Sequence, residues 1–169
     1  MNARPPMNLV IANRQRTKKI NVRLLKQIVA GLLAELEIGD TELGINLVAA
    51  REMTLVNETF LQHAGSTDVI TFDHALDETR QAASGKRKAL HGELFVCVDE
   101  AVLQAGEFKT NWPSEIVRYI VHGVLHLIGH DDHRAAARRK MKREENRLVR
   151  VLSRRFSLAQ LVPASKLRA

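Results

Sequence analysis

The twelve residues His122-Gly123-Val124-Leu125-His126-Leu127-Ile128-Gly129-His130-Asp131-Asp132-His133 decide how the chain is read. Apolar residues leading into them (Ile116, Ile120, Val121) and within them (Val124, Leu125, Leu127) recur at helical spacing. Asn111-Trp112-Pro113-Ser114-Glu115 supplies a helix start and Gly129 a stop. His122 and His126 stand four apart on that helix, so both imidazoles project from one face to a common point. Beyond Gly129 the chain can turn back and offer a further ligand from the Asp132/His133 corner. Two imidazoles and a third ligand after a glycine turn suit tetrahedral Zn²⁺ with an open fourth position. A cation left open in this way lowers the pKa of its bound water to about 7, and that water is the one catalytic group the residues point to. Four of the seven histidines fall in this stretch, and the intervening apolar positions tie the site to a rigid element.

The same stretch argues against one chemistry. A zinc protease of the His-Glu-x-x-His kind carries a glutamate after its first histidine as general base. Here that position is Gly123, which can neither accept a proton nor polarise water.

Working outward, the periodicity predicts strands over Asn8–Asn13, Gly44–Ala49, Asp68–Phe72 and Gly92–Val98. It predicts helices over Val22–Leu36, ended by Gly39, and over Arg51–His63, with Met53, Val56, Phe60 and Leu61 inward. A third runs from an Asp99 N-cap through Phe108, and the helix of the histidine pair is the fourth. The fifth is a basic helix, Arg134–Arg154, with Met141, Leu148, Val151 and Leu152 on one side. Ala75–His91 is polar, small and basic and reads as an exposed loop; Val162–Ala169 reads as a frayed end. The expectation is one α+β domain, about four strands packed against about five helices, over 1–155, with a basic tail over 156–169. Cys97 alternates with apolar neighbours and reads as core, not as a nucleophile.

The composition narrows the setting. At 169 residues, 45% hydrophobic and 27% charged, the chain is long enough for a substantial single core. No apolar run reaches the ~18 to 20 residues of a membrane span, Met1–Pro6 has no signal pattern, and one cysteine allows no intrachain disulfide. A cytoplasmic location is expected, with no membrane partner. The net charge of +7 is uneven: Arg134–Ala169 holds 12 Lys/Arg against two acids, +10, and the rest holds 14 against 17, −3. A basic segment on a neutral to acidic body suits a polyanion backbone, and a solvated helix face is the plain alternative. One Trp, one Tyr and five Phe leave little for base stacking, so a backbone grip is expected rather than a sequence reader.

The pattern His-Gly-x-Leu-His-Leu-x-Gly-x-Asp resembles the signature of the YbeY family, bacterial zinc-dependent endoribonucleases linked to ribosomal RNA maturation and ribosome quality control. Asn57 with Thr67-Asp68-Val69-Ile70-Thr71-Phe72-Asp73 is similar to the family's Asn…Thr-Asp-Val-Leu-Ser-Phe block. Gly92-Glu93-Leu94-Phe95-Val96-Cys97-Val98-Asp99 is similar to its Gly-Asp-Ile-x-Ile-x-x-Asp strand. These matches run in order over about Asn46 to Arg150.

The resemblance implies a YbeY-like zinc hydrolase fold, one Zn²⁺ per chain and a single-strand-specific endoribonuclease. Its partners would be ribosomal RNA and the small ribosomal subunit, in late 3′ end maturation and ribosome quality control, without DNA specificity. The family's third zinc histidine falls ten residues after the first, where this chain has Asp132; the histidine comes one later, at His133. Carboxylate oxygen binds Zn²⁺ at nearly the imidazole distance, so Asp132 in register or His133 after a one-residue insertion could fill the vertex, and register favours Asp132. The arginine that the family carries after the aromatic following its asparagine is Leu61 here, after Phe60. A leucine cannot stabilise a pentacovalent phosphate; His63, Arg51 and Arg118 are the candidates to compensate. The cleft-lining candidates are Thr67, Asp68 and His63, and Arg138, Arg139 and Lys142 are the candidate grips on RNA. Thr67 and Asp68 read equally well as strand-start capping. Two other readings stand beside this one. Leu61 keeps open a non-catalytic RNA-binding assembly factor with structural zinc, and the metal frame alone allows a zinc hydrolase of another substrate class.

Overall fold

The structure is a computed structural model that describes residues 7–75 and 88–165. Four strands, β1 (Met7–Asn13), β2 (Ile38–Val48), β3 (Val69–Asp73) and β4 (Lys88–Cys97), form one sheet in the order β1-β2-β4-β3. β1, β2 and β4 run parallel and β3 lies antiparallel at the edge against β4. Five helices accompany them: α1 (Val22–Glu35), α2 (Ala50–Val56), α3 (Val98–Glu107), α4 (Trp112–Leu127) and α5 (Ala135–Arg155).

The period-2 pattern of the strands sets the two faces. Leu43, Ile45 and Leu47 of β2 and Leu90, Leu94 and Val96 of β4 are buried in the main core with Leu25, Ile28 and Leu32 of α1 and Ile116, Ile120 and Val124 of α4. α5 adds Met141, Leu148 and Leu152. On the other face a smaller cluster, Val48, Met53, Val56, Ile70 and Cys97, lies under α2. Cys97 is fully buried, and burial pushes its thiol pKa up, consistent with a core residue.

Several elements differ from expectation. α1 stops at Glu35, and the left-handed turn after it falls on Glu37 (φ 54°), so Gly39 lies within β2 instead of ending the helix. The helix expected to run to His63 changes winding after Val56: Asn57–Leu61 is a π-turn that ends at left-handed Gln62. The wider turn rotates the following side chains off the buried face. Phe60 and Leu61 therefore lie outward, 65% and 42% exposed, where an inward stripe was expected.

Asp99 does not cap its own helix. It accepts from the backbone N–H of Ala50, the first residue of α2, at 2.6 Å and from Thr17 Oγ1 at 2.5 Å, so it satisfies an amide of a different helix start. Lys88–His91 belong to β4 and not to a loop; the rest of that expected loop, 76–87, lies outside the described residues. Past Arg155 the chain forms a short 3₁₀ turn, Leu158–Leu161, whose two leucines are buried, so the segment expected as a tail contributes to the core before the chain reaches the undescribed 166–169.

Candidate metal centre

α4 carries the site because it lies close against the sheet. A Cβ on Gly123 would come within 2.8 Å of Leu94 Cδ2 and 3.3 Å of Thr71 Cγ2, so glycine is what lets the helix sit on β4 and β3. The position next to His122 therefore faces packed side chains and leaves no room for a glutamate. The helix ends in a Schellman arrangement. Gly129 (φ 99°) donates to His126 O at 3.0 Å, and His130 N–H reaches back to Leu125 O at 3.0 Å. That reversal sets the carbonyl of His130 3.1 Å from His126 Nδ1, where it accepts the ring proton.

His122 is oriented from the other side. Its Nδ1 lies 2.9 Å from Glu145 Oε2 of α5. With both Nδ1 atoms serving as donors, both Nε2 lone pairs are free, and the two Nε2 atoms converge to 3.1 Å. Asp132 Oδ2 lies 3.5 Å from His126 Nε2 and 3.9 Å from His122 Nε2. Ligand atoms about 2.0–2.2 Å from a tetrahedral ion stand roughly 3.3–3.6 Å apart, so this triangle of two nitrogens and one oxygen could hold such an ion. His133, by contrast, is 91% exposed, and its ring lies 3.8 Å from Asp131 Oδ1.

Glu145 is the buried centre of this arrangement. Besides His122 it accepts from Arg118 Nη1 and Lys142 Nζ, each at 2.7 Å. Burial acts to raise its pKa, but the hydrogen bonds from His122, Lys142 and Arg118 outweigh that and hold it down to about 2. In the sequence Glu145 stands out only as one of two acids in a basic segment. A signal was present: it falls four after Met141 and three before Leu148, so it is a carboxylate on the apolar stripe of α5.

A cavity of about 270 Å³ opens beside the triangle. His122 and Asp132 line it together with Asp68, Arg138 and Lys142, three of the residues expected to meet substrate. Arg118 and Tyr119 line it too. Thr67 stands behind, donating to Asp68 Oδ1 at 3.1 Å, while Asp68 also accepts from Val69 N–H at 2.8 Å, so the capping role is present alongside the cleft role. His63 and Arg139 are exposed and are not among the residues lining the cavity. Arg51 is spent on neither the triangle nor the cavity.

A family model described as endoribonuclease YbeY matches residues 10–153. This chain belongs to the YbeY family. Endoribonuclease YbeY of Syntrophotalea carbinolica is 33% identical over 144 residues, covering 83% of this chain and 93% of that protein. The protein of the same name from Salinibacter ruber is 29% identical over 145 residues, covering 85% and 91%. Among solved structures, the solution structure of TM1509 from Thermotoga maritima superposes with a TM-score of 0.65 at 22% identity, covering 95% of this chain and 99% of that one, which is a likeness of fold. Within the YbeY family frame, Asn57 has a local role here: its Nδ2 donates to Gly65 O at 2.9 Å and closes the loop that follows the π-turn.

Proposed function

We propose that this protein is a Zn²⁺-dependent endoribonuclease that cuts single-stranded RNA in the cytoplasm. Its substrate is ribosomal RNA of the small subunit, in 3′ end maturation and ribosome quality control. The observation that carries the reading is the convergence of His122 Nε2, His126 Nε2 and Asp132 Oδ2 at 3.1–3.9 Å beside a cavity, in a chain of the YbeY family. Those three side chains would hold the ion. When bound, Zn²⁺ supplies Lewis acidity toward water and toward phosphoryl oxygen.

The chain's own residues do the rest. Glu145 and the His130 carbonyl keep both ring protons on Nδ1 and both Nε2 atoms turned inward. Asp68, held by Thr67, forms one wall of the cleft. Arg138 and Lys142 line the cavity from α5, and Arg139 and His63, outside it, suit the flanking strand. No helix among the described residues is long and apolar enough to cross a membrane.

The test is metal analysis of the natively purified protein together with cleavage of a single-stranded RNA. About one zinc per chain is expected, with cleavage lost to a chelator and restored by Zn²⁺. His126→Ala should remove both metal and cleavage and stay folded. Full zinc stoichiometry in that variant, or RNA cleavage by the metal-free protein, overturns the reading.

A further inference from the structure

A guanidinium reaches the cleft from α4, the helix that carries the histidine pair. Arg118 lies on α4 one turn before His122 and lines the same cavity as His122 and Asp132. Its Nη1 donates to Glu145 Oε1 at 2.7 Å and to Asn146 Oδ1 at 2.8 Å. A guanidinium has five N–H donors, and Nη1 carries two of them. The other edge, Nε and Nη2, makes no hydrogen bond among the described residues, and it is this two-nitrogen fork that a phosphate accepts bidentately. The buried anchor at Glu145 fixes the fork, so little side-chain entropy is lost on binding.

A second observation comes from the next residue. Tyr119 is 3% exposed and lines the cavity, and its hydroxyl is buried with no hydrogen-bond partner among the described residues. A buried hydroxyl without a partner has lost its hydration uncompensated, a cost that a ligand oxygen would relieve. Lys142 adds a cation at the same wall, and Glu145, shared by Arg118 and Lys142, offsets part of their charge without occupying the free fork. Asp68 and Asp132 are the remaining carboxylates on the cavity. With Asp132 committed to the metal triangle, three cations, Arg118, Arg138 and Lys142, face two carboxylates, Asp68 and Glu145, on the cavity wall.

We infer that Arg118, with Lys142 and the Tyr119 hydroxyl, forms a subsite for a phosphodiester of the RNA strand next to the metal triangle. The inference rests on reading the cleft as one that handles RNA.

It is tested with the metal-loaded protein and a single-stranded oligoribonucleotide bearing 2′-O-methyl sugars, checked intact on a gel after each titration. Affinity is measured by fluorescence anisotropy over a salt series. Arg118→Gln should weaken binding about tenfold and flatten the slope of log K against log salt by about 0.7, one phosphate contact on a single strand. Arg118→Lys should recover the salt slope but not the full affinity, because it restores a point charge and not a fork. Tyr119→Phe should weaken binding about threefold at unchanged slope and metal content, with a melting temperature at or above that of wild type. If Arg118→Gln loses metal or structure, Tyr119→Phe decides alone, since its hydroxyl has no internal bond to lose. Wild-type affinity in Arg118→Gln, or in Tyr119→Phe where that variant decides, overturns the subsite, as does failure of the wild type to bind. Binding that depends on Arg118 in a wild type that never cuts RNA would sink the ribonuclease reading and leave the subsite standing.

Discussion

Glu145 Oε2 and His122 Nδ1 lie 2.9 Å apart, and this hydrogen bond, together with those of Arg118 to Glu145 and Asn146, joins the two helices that make the site. It decides which histidine nitrogen faces inward. It also draws Arg118 and Lys142 to the same carboxylate, so metal triangle and cationic wall share a buried hub.

Glu145→Gln tests that hub. The amide keeps the shape but removes the charge that Arg118 and Lys142 balance, and its NH₂ faces a donor wherever it points. Metal affinity should fall 10–100-fold, the usual effect of losing an outer partner of a ligating histidine. Competition with a chromogenic chelator measures it, and affinity unchanged within twofold would contradict the orienting role.

How the sequence conveyed this site depends on range. The His122/His126 pair, the helix that carries it and the Gly129 turn rest on local spacing, and each appears where the periodicity puts it. What lies across the fold was not legible. Glu145 is 23 positions from His122, and the two meet only once α5 folds back over α4. The Asp99 carboxylate looked like a local cap but serves a helix start 49 positions away. Phe60 and Leu61 were misplaced because a π-turn leaves no trace in a 3.6-residue pattern. The Asp132/His133 alternative turned on how the chain leaves Gly129, and residue types alone carry no such geometry.

Gly92→Ala probes the packing under the site. A Cβ there would lie 2.8 Å from the backbone carbonyl of Phe72 and 2.8 Å from both methyls of Leu127. Leu127 can rotate aside, but the Phe72 carbonyl belongs to β3 and cannot move without loosening the β3–β4 pairing. The expected destabilisation is about 1–3 kcal/mol, which lowers the melting temperature by about 2–4 °C per kcal/mol for a chain of this size. A melting curve identical to wild type would mean that β3 yields freely.

Acid stability carries a signature at the join of α5 and α1. Arg147 bridges Glu144 at 2.8 Å and Glu35 at 2.8 Å, and the Arg147 hydrogen bond holds the Glu144 carboxyl below its usual range. A depressed folded-state pKa contributes stability above the unfolded value, about 4.3, and that contribution disappears as pH falls through the folded value. Glu144→Gln should therefore be less stable than wild type by about 0.2–1 kcal/mol at pH 7, the range for a surface pair. The gap should narrow as pH falls below the unfolded value and close once the folded-state carboxyl is protonated. Urea titrations of both proteins at pH 7 and pH 3.5 measure the difference, and a gap of constant size would assign it to packing.

Asp132 and His133 give the sharpest test of the triangle, because residue type alone allows either to be the third ligand. Asp132 Oδ2 stands 3.5 Å from His126 Nε2, whereas the His133 ring is 91% exposed and points to Asp131. For His133 to reach the imidazoles, the turn after Gly129 would have to rearrange. That would disturb the His130 carbonyl that accepts from His126 Nδ1. Asp132→Ala should thus lose stoichiometric metal, while His133→Ala keeps it with affinity within about threefold of wild type. Asp132→His should keep metal as well, since imidazole nitrogen and carboxylate oxygen bind Zn²⁺ at nearly the same distance. Metal retained in Asp132→Ala and lost in His133→Ala would reverse the assignment.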